Sequence, residues 1–254
     1  MVGGLGLGLL IAWGASLANM NEPVRIDSDS FLIDYSHMPA SGHYEARVNP
    51  VGPLYTNLLR SGFRIFEQDA WDPRAIARAR GIAFVAPQRT FSGKEVEELM
   101  AAEEQGAIVL LAVGQPDSAG ARPLLEAHGL ALDPRPLGTV SDVGLRASRV
   151  EREQQPRFFD AWPIVAAGGG SVDSLSDVEV IYRRGDDTLA LFRRRGRGGL
   201  LLFADTRFFS DMNIEDVSGY WLGNLALIHD VFQRHLGANP DAVRPVFRSP
   251  EKPR

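Results

Sequence analysis

Apolar runs that stop abruptly at polar or turn residues set the rhythm of this chain. Phe31 to Tyr35 breaks into Ser36, His37, Pro39 and Gly42, and Ile82 to Ala86 runs into Pro87 and Gln88. Ala107 to Val113 ends in Gly114, Gln115 and Pro116, and Leu200 to Ala204 ends in Asp205 and Thr206. Short, nearly continuous apolar segments bounded by turn signals are the pattern of strands buried on both faces. These four predict parallel strands, adjacent in the middle of one sheet, whose carboxyl ends share a rim.

Helical spacing fills the intervals. Pro50 to Ser61 sets Leu54, Leu58 and Leu59 on one side and closes at Gly62, and Phe63 to Glu67 then reads as a further strand. Asp72 as N-cap and Pro73 at the first helical position open a short helix. Ser92 and Glu95 have capping-box spacing ahead of Val96, Leu99 and Met100, and Gly106 ends that helix. Arg122 to His128 predicts another helix, with Leu124 and Leu125 inward and His128 as a helix-end cation beside Gly129. Asp133 to Ser176, rich in Pro, Gly and Arg, reads as a long excursion covering an edge. Val178 to Tyr182, a turn at Gly185 and Asp186, and Thr188 to Phe192 form a hairpin that leads into the last strand. A final helix, Val217 to Leu236, aligns Trp221, Leu225, Ile228 and Phe232. Alternating strands and helices at such short spacing give a doubly wound, mostly parallel α/β sheet, with a β-hairpin insertion near the C-terminal strand.

Outside this pattern, residues 1–21 carry no charged side chain, and Leu5, Leu7, Leu9, Leu10, Ile11, Trp13 and Leu17 make them continuously apolar. About 20 such residues span a bilayer, so the segment is expected to be a membrane anchor or a signal sequence. Ser16-Leu17-Ala18 suits a signal peptidase, although no Lys or Arg precedes Arg25. The expected organisation is an anchor or signal at 1–21, a linker at 22–29, an α/β domain at 30–236 and a polar, Pro-rich tail at 237–254.

Composition narrows the chemistry. A chain of 254 residues with 44% hydrophobic content can bury a full core. Its net charge of -5 argues against general nucleic-acid binding, which needs a basic face. Cysteine is absent, which removes disulfides, thiolate nucleophiles and Cys-ligated zinc. There is no Gly-x-Ser-x-Gly elbow, and Gly168 to Gly170 lack the Gly-Lys-Ser/Thr of a phosphate loop. Arg193, Arg194, Arg195 and Arg197 form a basic patch, with Arg183 and Arg184 expected nearby across the hairpin.

Three stretches carry a resemblance: "FLIDYSHMPASGHYEARVNPVGPLYTNLLRSGFRIFE", "GIAFVAPQRTFSGKEVEELMAAEEQGAIVLLAVG" and "GRGGLLLFADTRFFSDMNIEDVSGYWLGNLALIHDVF". In order and spacing they resemble the uncharacterised membrane-associated proteins of the class I glutamine-amidotransferase-like superfamily, relatives of the gliding-type transport auxiliary proteins. The resemblance implies a flavodoxin-like sheet and attachment to a membrane. The chain departs from the enzymatic branch where that branch carries its Cys. The turn after "AIVLLAV" is Gly114-Gln115-Pro116, and an amide is no nucleophile. Glutaminase chemistry is therefore excluded.

The rim residues are the candidate site: Asp34, Ser36 and His37 after one strand, Gln88 and Gln115 after the next two, Asp205 after the last, and Asn213 before the final helix. Ligands of open parallel sheets bind beyond such strand ends, so these residues are expected to line one concave surface. Ser36 and His37 are not expected to form a triad, because neighbours on an extended strand point to opposite faces. The expected function is a non-catalytic, membrane-anchored, amidotransferase-like module. It binds a partner protein or a small ligand at this rim, without cofactor or bound metal. The rival reading is a hydrolase, metal-assisted or otherwise, using Asp34, His37 and Asp205, with His43 or Asp211 as further ligands. The expected location is the inner cell membrane with one N-terminal span, the domain lying in the periplasm or otherwise outside the cytoplasm in a membrane complex.

Overall fold

The computed structural model describes residues 29–37, 51–141, 155–216 and 219–237. The expected anchor, most of its linker, His43 and the tail from residue 238 lie outside the described residues. In chain order the elements begin β1 (Ser30–Asp34), α1 (Gly52–Arg60), β2 (Arg64–Gln68), α2 (Pro73–Ile76), β3 (Gly81–Val85), α3 (Gly93–Gln105) and β4 (Ile108–Ala112). They continue with α4 (Ser118–Ala127), β5 (Leu130–Leu132), β6 (Gly138–Ser141), β7 (Arg157–Ala161), β8 (Ile164–Ala166), β9 (Val178–Arg184) and β10 (Asp187–Arg195). Last come β11 (Gly198–Phe203), α5 (Asp211–Ile214) and α6 (Leu222–Val231), which runs on as a π-helical turn at Phe232–Leu236.

Strand order in the nine-stranded sheet is β2-β1-β3-β4-β11-β10-β8-β5, with β9 on β10. The first five are mutually parallel. This is the flavodoxin-like order, with the chain reversing direction across the sheet between β1 and β3. The four strands expected in the middle are parallel and adjacent there. The β9–β10 hairpin turns at Gly185, whose φ of 57° is cheap only for glycine. Strand alternation divides the core: Ile108, Leu110 and Ala112 pack towards α1 and α6, while Val109, Leu111 and Val113 pack towards α2, α3 and α4. Each fully buried Leu or Phe contributes about 1.5–3 kcal/mol. The capping box of α3 is formed in both directions between Ser92 and Glu95.

Three expectations are corrected. The stretch from Asp133 to Ser176 is not a plain excursion. It holds the β6–β7 ribbon and β8, which joins the main sheet. Pro156 and Pro163 bracket β7, whose Arg157 and Asp160 interrupt the apolar pattern, and β6 and β8 are too short to show an alternation. The final helix starts at Leu222, because the extended backbone of Trp221 makes it the N-cap. His128 is a buried partner of Glu103, with Nε2 3.2 Å from Oε1, rather than a solvated cation.

The basic patch is also dispersed. Arg183 and Arg193 lie towards opposite ends of the β10 pairing, and Arg183 and Arg195 are engaged by Asp173 and Glu104. At the amino end of the parallel strands, Arg80 joins both ends of the described domain. Its N–H donates to the Ser30 carbonyl at 2.8 Å, and its Nε donates to the Leu236 carbonyl at 2.8 Å. No helix among the described residues is long and apolar enough to cross a membrane.

Candidate functional site

The reversal point between β1 and β3 gathers a polar cluster. Beyond β1 the chain bends instead of staying extended, so Ser36 and His37 turn back on Asp34. Ser36 Oγ donates to Asp34 Oδ1 at 2.7 Å. His37 N–H donates to Oδ2 at 2.9 Å, and His37 Nδ1 lies 2.8 Å from the same oxygen. Ser36 Oγ is also 3.0 Å from Nδ1, so the expectation that these neighbours point apart is overturned by the bend. Asp34 and His37 are buried at 1% and 0% exposure, which leaves the half-buried Ser36 to face solvent.

On the β3 side, Ala86 adopts a φ of 48°, unusual for a residue with a Cβ, immediately before Pro87. That turn aims two successive amides at one acceptor. The N–H groups of Gln88 and Arg89 both donate to the His37 carbonyl, at 2.7 and 3.2 Å. Strain of this kind costs on the order of 1–3 kcal/mol and collects at functional sites. Arg89 Nε donates to the Ser36 carbonyl at 3.2 Å, and its Nη2 donates to Glu95 Oε1 at 2.7 Å. Burial works to raise the Glu95 carboxyl, but hydrogen bonds from Arg89 and Ser92 outweigh it and hold the group at about 2.

His37 Nε2 lies 3.6 Å from Glu95 Oε2 and makes no hydrogen bond among the described residues. The imidazole stacks on Phe91 at 4.2 Å and meets Trp71 and Phe84 edge-on. Sequence reasoning passed over Arg89 and Glu95 as site residues. Glu95 serves both the capping box and the cluster, its Oε2 accepting from Ser92 N–H and its Oε1 from Arg89.

From this cluster a polar line crosses the rim. Gln88 Nε2 donates to Asp117 Oδ1 at 3.4 Å, and Thr206 Oγ1 donates to Asp117 Oδ2 at 2.8 Å. Gly114 N–H donates to Thr206 Oγ1 at 2.6 Å. Gln115 sits in the 3-10 turn Gln115–Asp117 that delivers Asp117, and its carbonyl accepts from Ser118 Oγ.

Asp205 and Asn213 belong to a second network. Asp205 is fully buried, and Oδ2 accepts from the amides of Phe159 and Asp160 at 2.6 and 3.2 Å while Oδ1 accepts from Arg207 at 2.8 Å. Burial raises its carboxyl, these amides pull it down, and it settles at about 6 against an ordinary 3.8. Asn213 Oδ1 accepts from Arg157 Nε at 3.0 Å, and its Nδ2 donates to the carbonyls of Arg157 and Phe208. The expected residues therefore divide between two networks. Asp34, Ser36, His37 and Gln88 are joined directly, while Asp205 and Asn213 serve β7.

The ligand set of the hydrolase reading is divided in the same way. No group of three or more metal-binding side chains occurs among the described residues. A cleft of about 390 Å³ lies elsewhere, lined by Asp133, Arg135, Gly170, Asp173, Arg183 and Thr188 among others. Its guanidiniums are held by Asp187 and Asp173, and none of the expected site residues lines it.

Among solved structures, the fold is similar to the mmIFT52 N-terminal domain, at a TM-score of 0.59 and 16% identity over 83% of this chain and 99% of that one. The exo-beta-1,4-mannosidase Op5Man5 from Opitutaceae bacterium strain TAV5 matches at 0.44 and 14%, over 80% of this chain and 36% of that one. A cytoplasmic protein from Salmonella typhimurium matches at 0.45 and 15%, over 80% and 98%. At 16% identity the first of these likenesses is one of fold. No family model and no curated protein matches the sequence.

Proposed function

We propose that this chain is a non-catalytic, glutamine-amidotransferase-like module, held at the inner cell membrane by residues 1–21 with its domain outside the cytoplasm. It binds a small ligand or a partner protein at the rim where Ser36, Gln88, Arg89 and Asp117 meet solvent. One observation carries the non-catalytic part. In a nucleophile–base–acid relay, the serine and the acid engage opposite ring nitrogens of the histidine. Here Ser36 and Asp34 both approach Nδ1, and the serine proton already goes to Asp34. Nε2, the nitrogen left over, is buried at zero exposure between the aromatic rings and the Glu95 carboxylate, where no serine reaches it among the described residues. The dyad is thus a fixture that positions Ser36 and Arg89, and the exposed groups do the recognising.

The test uses the full chain in detergent. A photo-activated cross-linker placed at Gln88 should capture one discrete species, and the same group at Glu126 should not. Deleting residues 1–21 should move a folded protein from the membrane fraction to the soluble one. Ester or phosphoester hydrolysis lost in Ser36→Ala, or stoichiometric zinc, manganese or iron lost in Asp34→Asn, would overturn the reading and establish the hydrolase.

A further inference from the structure

Three buried polar side chains on the far side of the rim are devoted to one short strand. Asp205, Asn213 and Asn224 are at most 1% exposed. Burying such groups is unfavourable unless they are hydrogen-bonded. Nearly all of their bonds go to β7 and to the turn after β11. Asn224 Oδ1 accepts from Arg157 N–H at 2.6 Å, and Asn224 Nδ2 donates to the Arg157 and Asn213 carbonyls at 2.9 Å each. Asp205 and Asn213 fix Phe159, Arg207 and the Arg157 guanidinium as described above. An apolar filling would have served the core, so what this network secures is the placement of an outward face.

Strand alternation puts Phe158 in the core and turns Arg157 and Phe159 outward. On that face the Arg207 guanidinium lies 5.4 Å from the Phe159 ring centroid, and that of Arg157 lies 5.7 Å from the same ring. Arg157 also sits 4.2 Å from the Trp221 ring, whose Nε1 is tied to the Gln155 carbonyl at 2.6 Å. Two planar cations are therefore interleaved with two rings, and Arg207 is exposed with no acidic side chain paired to it among the described residues. The Arg207 guanidinium, lying over the Phe159 ring, keeps its N–H edge for a bidentate carboxylate, whereas Arg157, whose Nε is taken by Asn213, serves to hold the two rings.

We propose that the Arg207–Phe159–Arg157–Trp221 ladder is the docking surface for an acidic segment of a partner protein. Trp, aromatic and Arg side chains on a pre-arranged surface are the composition of protein-interface hot spots. A polyanion such as RNA needs a broad basic face, which a net charge of -5 denies it. A lipid surface is disfavoured by position, and in this one respect the inference rests on the anchored reading above. The ladder follows the carboxyl end of β11, at the opposite end of the sheet from Ser30, where the anchor segment enters.

Fluorescence anisotropy on the full chain tests this, with a fluorescein-labelled decapeptide of alternating glutamate and tyrosine as probe. Saturable binding should weaken at least tenfold in Arg207→Glu and in Phe159→Ala, weaken with added salt, and stay unchanged in Arg122→Glu on distant α4. Arg207→Gln replaces the charge reversal should that variant unfold, and it should lose binding too. Absence of saturable binding, equal loss in Arg122→Glu, or displacement of the peptide by oligouridine or phosphatidylglycerol vesicles would overturn the proposal. None of these readouts involves the Gln88 cross-link or the hydrolysis assays, so either reading can fail alone.

Discussion

Asp205→Asn isolates the energetics of a buried carboxyl. In the folded protein this group titrates at about 6 instead of 3.8, because burial outweighs the three amides that point at it. A raised folded value means that folding favours the protonated form. The contribution is complete below 3.8 and is lost as pH rises through about 6. A displacement of about two pH units corresponds to about 3 kcal/mol.

Asparagine has nearly the same shape and does not titrate. Its oxygen keeps part of the amide set while its NH2 confronts the remaining N–H, a penalty of about 1–3 kcal/mol that does not change with pH. The wild type should therefore lose about 3 kcal/mol relative to the variant between about pH 4 and about pH 7. Urea unfolding of both proteins across that range measures the difference directly. If the wild type instead gains on the variant as pH rises, the amides outweigh burial, and the account of this network is wrong.

Two further changes probe the β1–β3 junction. Glu95→Gln removes a carboxylate held at about 2, a contribution present above 4.5 and lost as pH falls towards 2. It should cost about 1–3 kcal/mol at neutral pH, with the gap to wild type closing in acid unfolding experiments. Gly120→Ala places a Cβ 2.0 Å from the Pro87 carbonyl oxygen, where α4 presses on the loop that carries Gln88 and Arg89. Overpacking against backbone should cost about 1–3 kcal/mol, read as a lower thermal midpoint. An unchanged midpoint would mean that this loop is not held by α4.

The sheet was legible because its central strands are apolar on both faces and punctuated by glycine and proline. Ile108 to Ala112 has no competing reading at that length and composition. The β6–β7 ribbon was not legible, since Arg157 and Asp160 flank Phe158 and Phe159, and its strand is held by pairing with β6 and by tertiary bonds to Asp205, Asn213 and Asn224. The candidate cluster was legible by position. Asp34, Ser36, His37 and Gln88 do lie together where the strand order reverses. What each carboxylate does was not legible, because Asp34 and Asp205 follow similar apolar runs. Asp34 accepts from its own loop, while Asp205 accepts from a strand some 45 residues earlier in the chain. Arg89 escaped notice because its role depends on Ser36 across the chain reversal, a contact that no local pattern announces.

The clasp made by Arg80 has a consequence for how this fold can travel. A polypeptide enters it at Ser30 and leaves it at Leu236 through one doorway, both carbonyls bonded to the same residue. Units with neighbouring ends can be lodged in a surface loop of a host chain without stretching it, or rejoined end to end and reopened at an exposed turn such as Gly185. Gene fusion can therefore carry this unit as a cassette, in the middle of a longer chain as readily as at its edge, with the rim left facing outward.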